Sequence, residues 1–502
     1  MTTSTSGRAA PERRFDLAII GGGIVGCAIA RELSRYDLDT VLIERAADVG
    51  FGTSKANSGI IHAGHHAAIG SLKGRLEWAG NRMWGALAEE LGISFDRVGD
   101  LTVAFDADEV AILRELCERA EERGVTGVEM WGQARVQDEE PALSDEVLAA
   151  VHGPTAGVVN PYEACFALAD DAVANGVTLQ LDALVTGIAR TSGGFSVGTT
   201  RGEFGADVIV NAAGLAADRV EAMVGLETFR LTGRKGEEYL LDKRLRGMVK
   251  RIIFPCPTPT SKGILVIPTF DGTLMVGPTA HPAGDRDDTT TTADGAREVF
   301  ESVQRLVPGI SAGDCIAEFA GVRAVTDTGD FVVGATEVPG FVNAAGIQSP
   351  GLTAAPAIAE LIRDDLVAHG LDLRRKERWV APSLPPTPMR SSDRTEQIER
   401  SAADPAFGRV ICRCELVTEG EVVDAIERGG HTLDGIKFRT RAGMGRCQGS
   451  FCTWRVMELI ASELGMPIAE VTKRGGGSWM VLDRDQFHDE RSGEPVEVGV
   501  SP

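Results

Sequence analysis

Short apolar runs that end in glycine clusters organise the first two-thirds of the chain. Residues 15–20 (FDLAII) read as a buried strand, followed by GGGIVG at 21–26 and a helix over 27–34. A second run, 40–43, ends on Glu44. A third, 207–212, ends in Ala213 and Gly214, and a fourth, 341–346, leaves through Gly346 and a glycine-rich turn into a helix over about 355–368. Residues 173–175 read as the end of a helix before a strand at 178–181 that leads to Val185. Between these come strand patterns such as 101–105 and 263–267, and no internal repeat is evident. Two glycine-rich strand-to-helix crossings so far apart imply a discontinuous domain with a second domain inserted.

The spacing G-x-G-x-x-G at Gly21, Gly23 and Gly26, between a strand and a helix, is the signature of a Rossmann-like dinucleotide site. The glycines give the tight turn, the close backbone approach to a pyrophosphate, and close helix packing. Glu44, about twenty residues on, suits ribose hydroxyls and argues against a phosphorylated ribose. The expected fold is thus α/β and α+β. A discontinuous Rossmann-like domain covers 14–91, 158–230 and 324–370, and an antiparallel-sheet domain covers 92–157 and 231–323. A linker follows at 371–406, then a small helical domain at 407–485 and a tail at 486–502.

The proline-rich run 382–388 fits a semi-rigid connection, and 392–401 a charged helix. Beyond it, Thr418 and Glu421 form a capping-box pattern before a helix at 422–428, and Cys452 begins a helix at 453–464. Four of the nine cysteines fall in two short motifs there, Cys412-x-Cys414 and Cys447-x4-Cys452. Four thiolates match the ligand count of a 2Fe-2S cluster or a structural zinc. The C-x-C spacing departs from the common zinc pattern, and iron-sulfur is the favoured reading over zinc or unligated thiols. The remaining cysteines are scattered singly, so disulfides are not expected.

Net charge of -22 argues against a nucleic-acid surface, so an anionic substrate needs a local basic pocket. The apolar stretch 17–30 is broken by glycines and too short to span a bilayer. Arg13-Arg14 could mimic a twin-arginine signal, but no separate apolar segment follows, and a cytoplasmic protein is expected. Peripheral attachment to the inner face of the membrane through a partner is compatible with this.

The segments GGGIVG (21–26), GTSKANSGIIHAG (52–64), VNAAG (210–214), GVRA (321–324) and GIQSPGLTAAPAIA (346–359) together resemble FAD-dependent glycerol-3-phosphate dehydrogenases. These lie within the D-amino-acid-oxidase-like flavoproteins. CRCELVTEGE and TRAGMGRCQGSFC resemble the 2Fe-2S domain of bacterioferritin-associated ferredoxin, which is appended to the anaerobic A-subunit type. L-2-hydroxyglutarate oxidases and dehydrogenases are also similar in the SGIIHAG loop.

The resemblance implies that Gly21, Gly23, Gly26 and Glu44 hold the ADP half of FAD. Ser54, Asn57, Ser58 and Gly59 would lie along the flavin, with Val185, Ala213 and Gly214 as further cofactor contacts. Gly346, Gly351, Leu352 and Thr353 would present backbone N–H groups to the flavin pyrimidine. Cys412, Cys414, Cys447 and Cys452 would hold the cluster. His62 is expected as the base that removes a hydroxyl proton, or as a histidine that bonds the flavin or its own loop. Arg323 would clamp the substrate anion, with Arg234, Lys235 and Lys55 either adding charge or forming a solvated face. His65 and His66 stand where the hydroxyglutarate-type enzymes carry an aromatic residue.

The expected activity is oxidation of sn-glycerol 3-phosphate, or of another small anionic hydroxy acid or amino acid, by hydride transfer to flavin N5. An electron-accepting flavoprotein or iron-sulfur subunit is the expected partner. A redox-linked subunit that no longer turns substrate over is the reading from a different class.

Overall fold

The computed structural model describes residues 13–258 and 262–482, so the tail expected at 486–502 lies outside the described residues. Two compact units divide the chain. One comprises Val49–Ser383 with the segment up to Arg45, and the other Ala46–Asp48 with the chain from Leu384. Of the stretch 371–406 expected as a connection, 371–383 belongs to the first unit. There Val380 N–H donates to Asn175 and Lys376 contacts the Asn175 carbonyl.

The first unit is built on two sheets. In the eight-stranded sheet, Arg14–Ile20 pairs in parallel with Thr40–Ile43 on one side and Gly202–Asn211 on the other. Thr178–Gln180 extends one edge, and Phe341–Ala345 joins Gly202–Asn211 in parallel, while Gly194–Thr199 and Val185–Thr191 add antiparallel strands. The register sets Ile20 opposite both Ile43 and Asn211, and Asn211 opposite Asn343. The C-terminal ends of four parallel strands, remote in sequence, therefore share one edge. Phe15, Val197, Phe195, Ile209 and Phe341 form the core beside them.

The nine-stranded sheet is antiparallel except for one pair. Ile252–Pro255 runs parallel to Asp100–Ala104 and so stitches together the two sequence segments of the second layer. Its longest pairing joins Leu231–Leu241 to Cys315–Thr326. Helix Ala293–Leu306 contributes Val299, Phe300, Val303 and Leu306 to a core that also includes Leu101, Trp131, Tyr239 and Val266.

Several boundaries differ from the sequence reading. The first helix is Ile24–Leu33, starting inside the glycine motif, because Gly26 lies so close to the turn that a Cβ would sit 1.9 Å from the Gly21 carbonyl oxygen. The helix expected from about 355 begins at Gly351 and continues through Pro356 to Ala368, its small residues packed against helix Leu72–Leu91. The helical stretch at 173–175 is the end of helix Pro161–Ala174, and the strand expected at 263–267 is Leu265–Pro268.

The second unit contains helix Arg394–Ala403, the hairpin Val410–Cys412 with Val417–Thr418, and helices Glu419–Glu427, Leu433–Thr440 and Thr453–Leu464. Thr418 caps the second helix with the reciprocal Glu421 bond that the sequence pattern implies. Val422, Ile426, Ile436, Val456 and Ile460 make a core that also encloses Cys412 and Cys452.

Candidate active site and cluster site

At the shared strand edge, Ile20 runs into Gly21, Ile43 into Glu44, Asn211 into Ala213 and Gly214, and Ala345 into Gly346. This is the crevice outside the carboxyl ends of parallel strands where α/β sheets take nucleotides. Gly21 backs onto Ala212 so tightly that a Cβ would lie 2.4 Å from its carbonyl oxygen. Gly22 N–H donates to Glu44 Oε2 at 2.7 Å, and Ile24 N–H to Ser54 Oγ at 2.9 Å. Gly23 caps the helix whose first turn these groups surround, an N-terminus suited to a pyrophosphate. The residues present thus fit the ADP half of FAD. Val185 starts the strand Val185–Thr191 with its side chain in the adjoining core.

The 52–64 loop crosses from this edge to the second sheet. Thr53 Oγ1 donates to Val322 O at 2.8 Å, and Asn57 Oδ1 accepts from Gly59 N–H at 2.9 Å. Ser58 Oγ donates to Glu238 Oε1 at 2.6 Å. Lys55, on the turn Thr53–Ala56, stands over the Phe51 ring at 5.5 Å. Arg323 is cross-strand from Arg234 and donates to Thr279 O at 2.8 Å. Lys235 is not brought to this side: it pairs with Asp288 at 2.9 Å and with Thr290 O. Neighbouring residues of a strand point to opposite faces, so Lys235 shares its face with Glu237, bonded to Thr292, and not with Glu238.

His62 is buried and held from three sides. Its N–H donates to Thr353 Oγ1 at 3.0 Å, Asn81 Nδ2 donates to its carbonyl at 2.7 Å, and its Nε2 lies 3.3 Å from Ser349 Oγ. Trp84 Nε1 donates to Thr353 O at 3.1 Å, fixing the helix turn that carries Leu352 and Thr353. Burial, then the positive charge of Lys262, lowers the His62 pKa well below the usual imidazole range, so the ring is neutral and able to accept a proton. Arg323 and Lys262 are near enough to act on each other, and burial lowers the pKa of both. Gly80 brings helix Leu72–Leu91 against this turn, where a Cβ would lie 2.0 Å from Thr353 O. Gly80→Ala is expected to cost about 1–3 kcal/mol in urea unfolding and to loosen FAD, measured as flavin lost on gel filtration.

Behind His62 lies a buried polar cluster. The His65 and His66 rings stack at 4.1 Å, His66 Nε2 meets Thr102 Oγ1 at 3.0 Å, and His65 Nε2 lies 3.9 Å from Asp100. His65, His66 and Asp100 bring ligand-type atoms within 4.8 Å of one another. Burial raises the pKa of Asp100 well above the usual carboxylate range, and that of Glu77 as well, against the opposing pull of Lys262, so these carboxyls are held towards the uncharged form and offer a divalent ion little charge. Burial likewise holds His65 neutral by pushing its pKa down to about 3.

Glu238 is buried, and desolvation raises its pKa to about 7 against the opposing pull of Ser58 and Arg323. A carboxyl raised in the folded state imposes no cost below the unfolded pKa of about 4.3, and a growing cost as pH climbs towards the folded value. Glu238→Gln is therefore expected to stabilise the protein by on the order of 2–3 kcal/mol at pH 8 and hardly at all at pH 4.5. Urea unfolding at the two pH values checks this, and an equal shift at both would contradict it.

In the second unit, Cys414 Sγ and Cys447 Sγ are 3.2 Å apart, and Cys412 and Cys452 form a second hydrogen-bonded pair. The proton shared within each pair lowers one thiol, Cys412 to about 6 and Cys447 below its ordinary value, and raises its partner, Cys452 and Cys414 respectively. Paired thiols with thiolate character, on loops braced by the buried Arg441–Glu415 contact at 2.8 Å, fit the donor set of a 2Fe-2S cluster.

The sequence reading missed Asn81, Trp84, Ser349, Lys262, Glu238, Glu77 and Asp100. Glu77, Asn81 and Trp84 repeat at helical spacing on the buried face of Leu72–Leu91, which is a readable signal. Lys262 stands in a proline- and threonine-rich stretch of the sequence and carries none.

Comparison with known proteins agrees with this geometry. Residues 16–364 match the FAD dependent oxidoreductase family, and 410–462 match the BFD-like [2Fe-2S] binding domain. A glycerol 3-phosphate dehydrogenase of Caloramator mitchellensis is 42% identical over 93% of this chain and 98% of its own length. The anaerobic glycerol-3-phosphate dehydrogenase subunit A1 of Haloferax volcanii is 26% identical over 89% and 82%. The FAD-bound L-alpha-glycerophosphate oxidase of Mycoplasma pneumoniae superposes with TM-score 0.71 at 29% identity, over 75% of this chain and all of that one. The chain belongs to the FAD dependent oxidoreductase family, as a glycerol-3-phosphate dehydrogenase-like flavoenzyme with an appended BFD-like 2Fe-2S domain.

Proposed function

We propose that the chain oxidises sn-glycerol 3-phosphate to dihydroxyacetone phosphate and passes the electrons through the 2Fe-2S cluster to a partner redox subunit. The observation that carries this reading is a buried, neutral histidine, His62, beside the cation Lys262, which in turn lies near enough to Arg323 to act on it. A dianionic phosphate group answers two cations, and a secondary alcohol needs a base. FAD, when bound, supplies the hydride acceptor. His62 Nε2 takes the hydroxyl proton, because its 3.3 Å contact with Ser349 is loose enough for a substrate hydroxyl to displace. Thr353 and Asn81 hold the His62 backbone in place, and Arg323 and Lys262 bind the phosphate oxygens.

Cys412, Cys414, Cys447 and Cys452 would hold a 2Fe-2S cluster, which would supply a one-electron carrier. The Haloferax relative is named as a subunit, which supports a partner that receives the electrons. No helix among the described residues is long and apolar enough to cross a membrane. In this reading the chain works in the cytoplasm, with any attachment to the inner membrane face made through the partner.

Anaerobic addition of glycerol 3-phosphate, L-2-hydroxyglutarate and D-amino acids, following flavin absorbance, tests the substrate. Glycerol 3-phosphate is expected to bleach the flavin at the lowest concentration. Bleaching only by L-2-hydroxyglutarate would reassign the substrate, and no bleaching by any of them would leave a non-catalytic redox subunit.

A further inference from the structure

Glu238 is a buried acid on the face of the second sheet that carries Arg323, and no step proposed above uses it. In the pairing of Leu231–Leu241 with Cys315–Thr326, Arg234 stands opposite Arg323, Gly236 opposite Gly321 and Glu238 opposite Phe319. Alternate residues of a strand share a face, so Arg234, Gly236 and Glu238 lie in line on the same side as Arg323. The glycines leave room between the charges. A Cβ on Gly236 would sit 2.3 Å from Arg323 Nη2, which places the guanidinium across Gly236 in the direction of Glu238. A Cβ on Gly321 would sit 2.7 Å from Ala56 Cβ, so the 52–64 loop closes over this face.

The Glu238 side chain is fixed there. Ser58 Oγ donates to its Oε1 at 2.6 Å, and Gly277 runs so close behind that a Cβ on it would lie 3.2 Å from Glu238 Cγ. Oε2 is buried and has no hydrogen-bond partner among the described residues. Arg323 is the charged group that acts on this carboxyl, and Arg234 and Lys262 lie near enough to act with Arg323. The loop that supplies Ser58 carries two further titratable side chains, Lys55 and His62, and the strand Leu274–Gly277 carries none. Phe319 belongs to an apolar core with Ile60, Val158 and Phe254. Glu237 and Glu318 are on the opposite face, where they accept from Thr292 and Thr291.

Charges that are buried together act on one another more strongly than in water. An ionised Glu238 offsets the charge of Arg323 that an incoming anion needs, and it repels the anion as well. A protonated Glu238 does neither, and its second oxygen can become a donor. Burial raises this carboxyl to about 7, so the proton is readily taken up at neutral pH.

Resting on the anion role of Arg323 proposed above, we infer that Glu238 couples that site to a proton: an anion binds at Arg323 with Glu238 uncharged, so the protein takes up one proton as the anion enters and releases it as the anion leaves. The O–H bond of Glu238 is the one bond made and broken. A bound anion holds that proton to a higher pH than the empty site does. Affinity is therefore level on the acid side of the empty-site value and falls by about tenfold per pH unit on its alkaline side.

The test titrates the oxidised protein, with FAD and cluster in place, with sodium sulfate, an anion that does not itself titrate between about pH 6 and about pH 9. Heat is followed in two buffers of different ionisation enthalpy, which counts the protons taken up. Wild type is expected to take up close to one proton per sulfate at about pH 8.5 and close to none at about pH 6. Glu238→Gln is expected to lose the uptake at the higher pH and to keep the wild-type acid affinity throughout. Arg323→Met is expected to lose sulfate binding, which assigns the heat to this site.

Equal proton uptake in wild type and Glu238→Gln would assign the linkage to Lys262 and overturn the proposal. So would a wild-type affinity that ignores pH, or the absence of any sulfate binding that depends on Arg323. If the linkage behaves as expected but glycerol 3-phosphate never bleaches the flavin, the role of Glu238 stands and the proposed substrate fails.

Discussion

Replacing His62 by asparagine is expected to leave FAD bound and to slow flavin reduction by glycerol 3-phosphate about 10²- to 10⁴-fold, the usual share of a positioned general base. The backbone bonds that hold residue 62, from Asn81 and to Thr353, do not involve the ring and survive the substitution. Because burial and Lys262 lower the His62 pKa, the wild-type reduction rate is expected to stay level through neutral pH and to fall only in acid. The variant should lose that acid limb. Near-normal turnover at every pH would assign the ring to flavin or loop bonding and remove the base.

Lys262→Met is expected to lower kcat/KM for glycerol 3-phosphate by roughly 30- to 300-fold, the cost of deleting one partner of a buried charged contact. The loss should fall mainly on KM, since the cation binds an anion that does not react. The substitution also removes the positive charge nearest His62, His65 and Asp100, so the acid limb of the rate profile should move to higher pH. An unchanged KM with an unchanged profile would place Lys262 outside the site.

The cofactor edge was legible in the sequence because each part of it is local: an apolar run, a glycine turn and an acid at the right interval. Parallel pairing then needs only those strand ends to bring Gly21, Glu44, Gly214 and Gly346 together. The cysteine motifs were legible for the same reason. The substrate side was not, because it is assembled from a helix, two strands and a loop with no shared period. Arg234 and Lys235 look equivalent in sequence, and only strand alternation separates the neighbour of Arg323 from the partner of Asp288. Glu238 reads as one more charge in a polar strand until the Ser58 bond and its burial are seen. Glycine and proline read as breakers and set the expected start of the next helix near 355, whereas Gly351 opens that helix and Pro356 lies within it.

Anaerobic mixing with glycerol 3-phosphate, followed by absorbance and by freezing samples for electron paramagnetic resonance, reports substrate oxidation and electron transfer together. Bleaching of the flavin followed by the paramagnetic signal of a reduced 2Fe-2S cluster is the expected result, with Cys447→Ser still bleaching but lacking the signal. A bleached flavin beside a cluster that stays oxidised would contradict the relay from substrate through FAD to iron and sulfur.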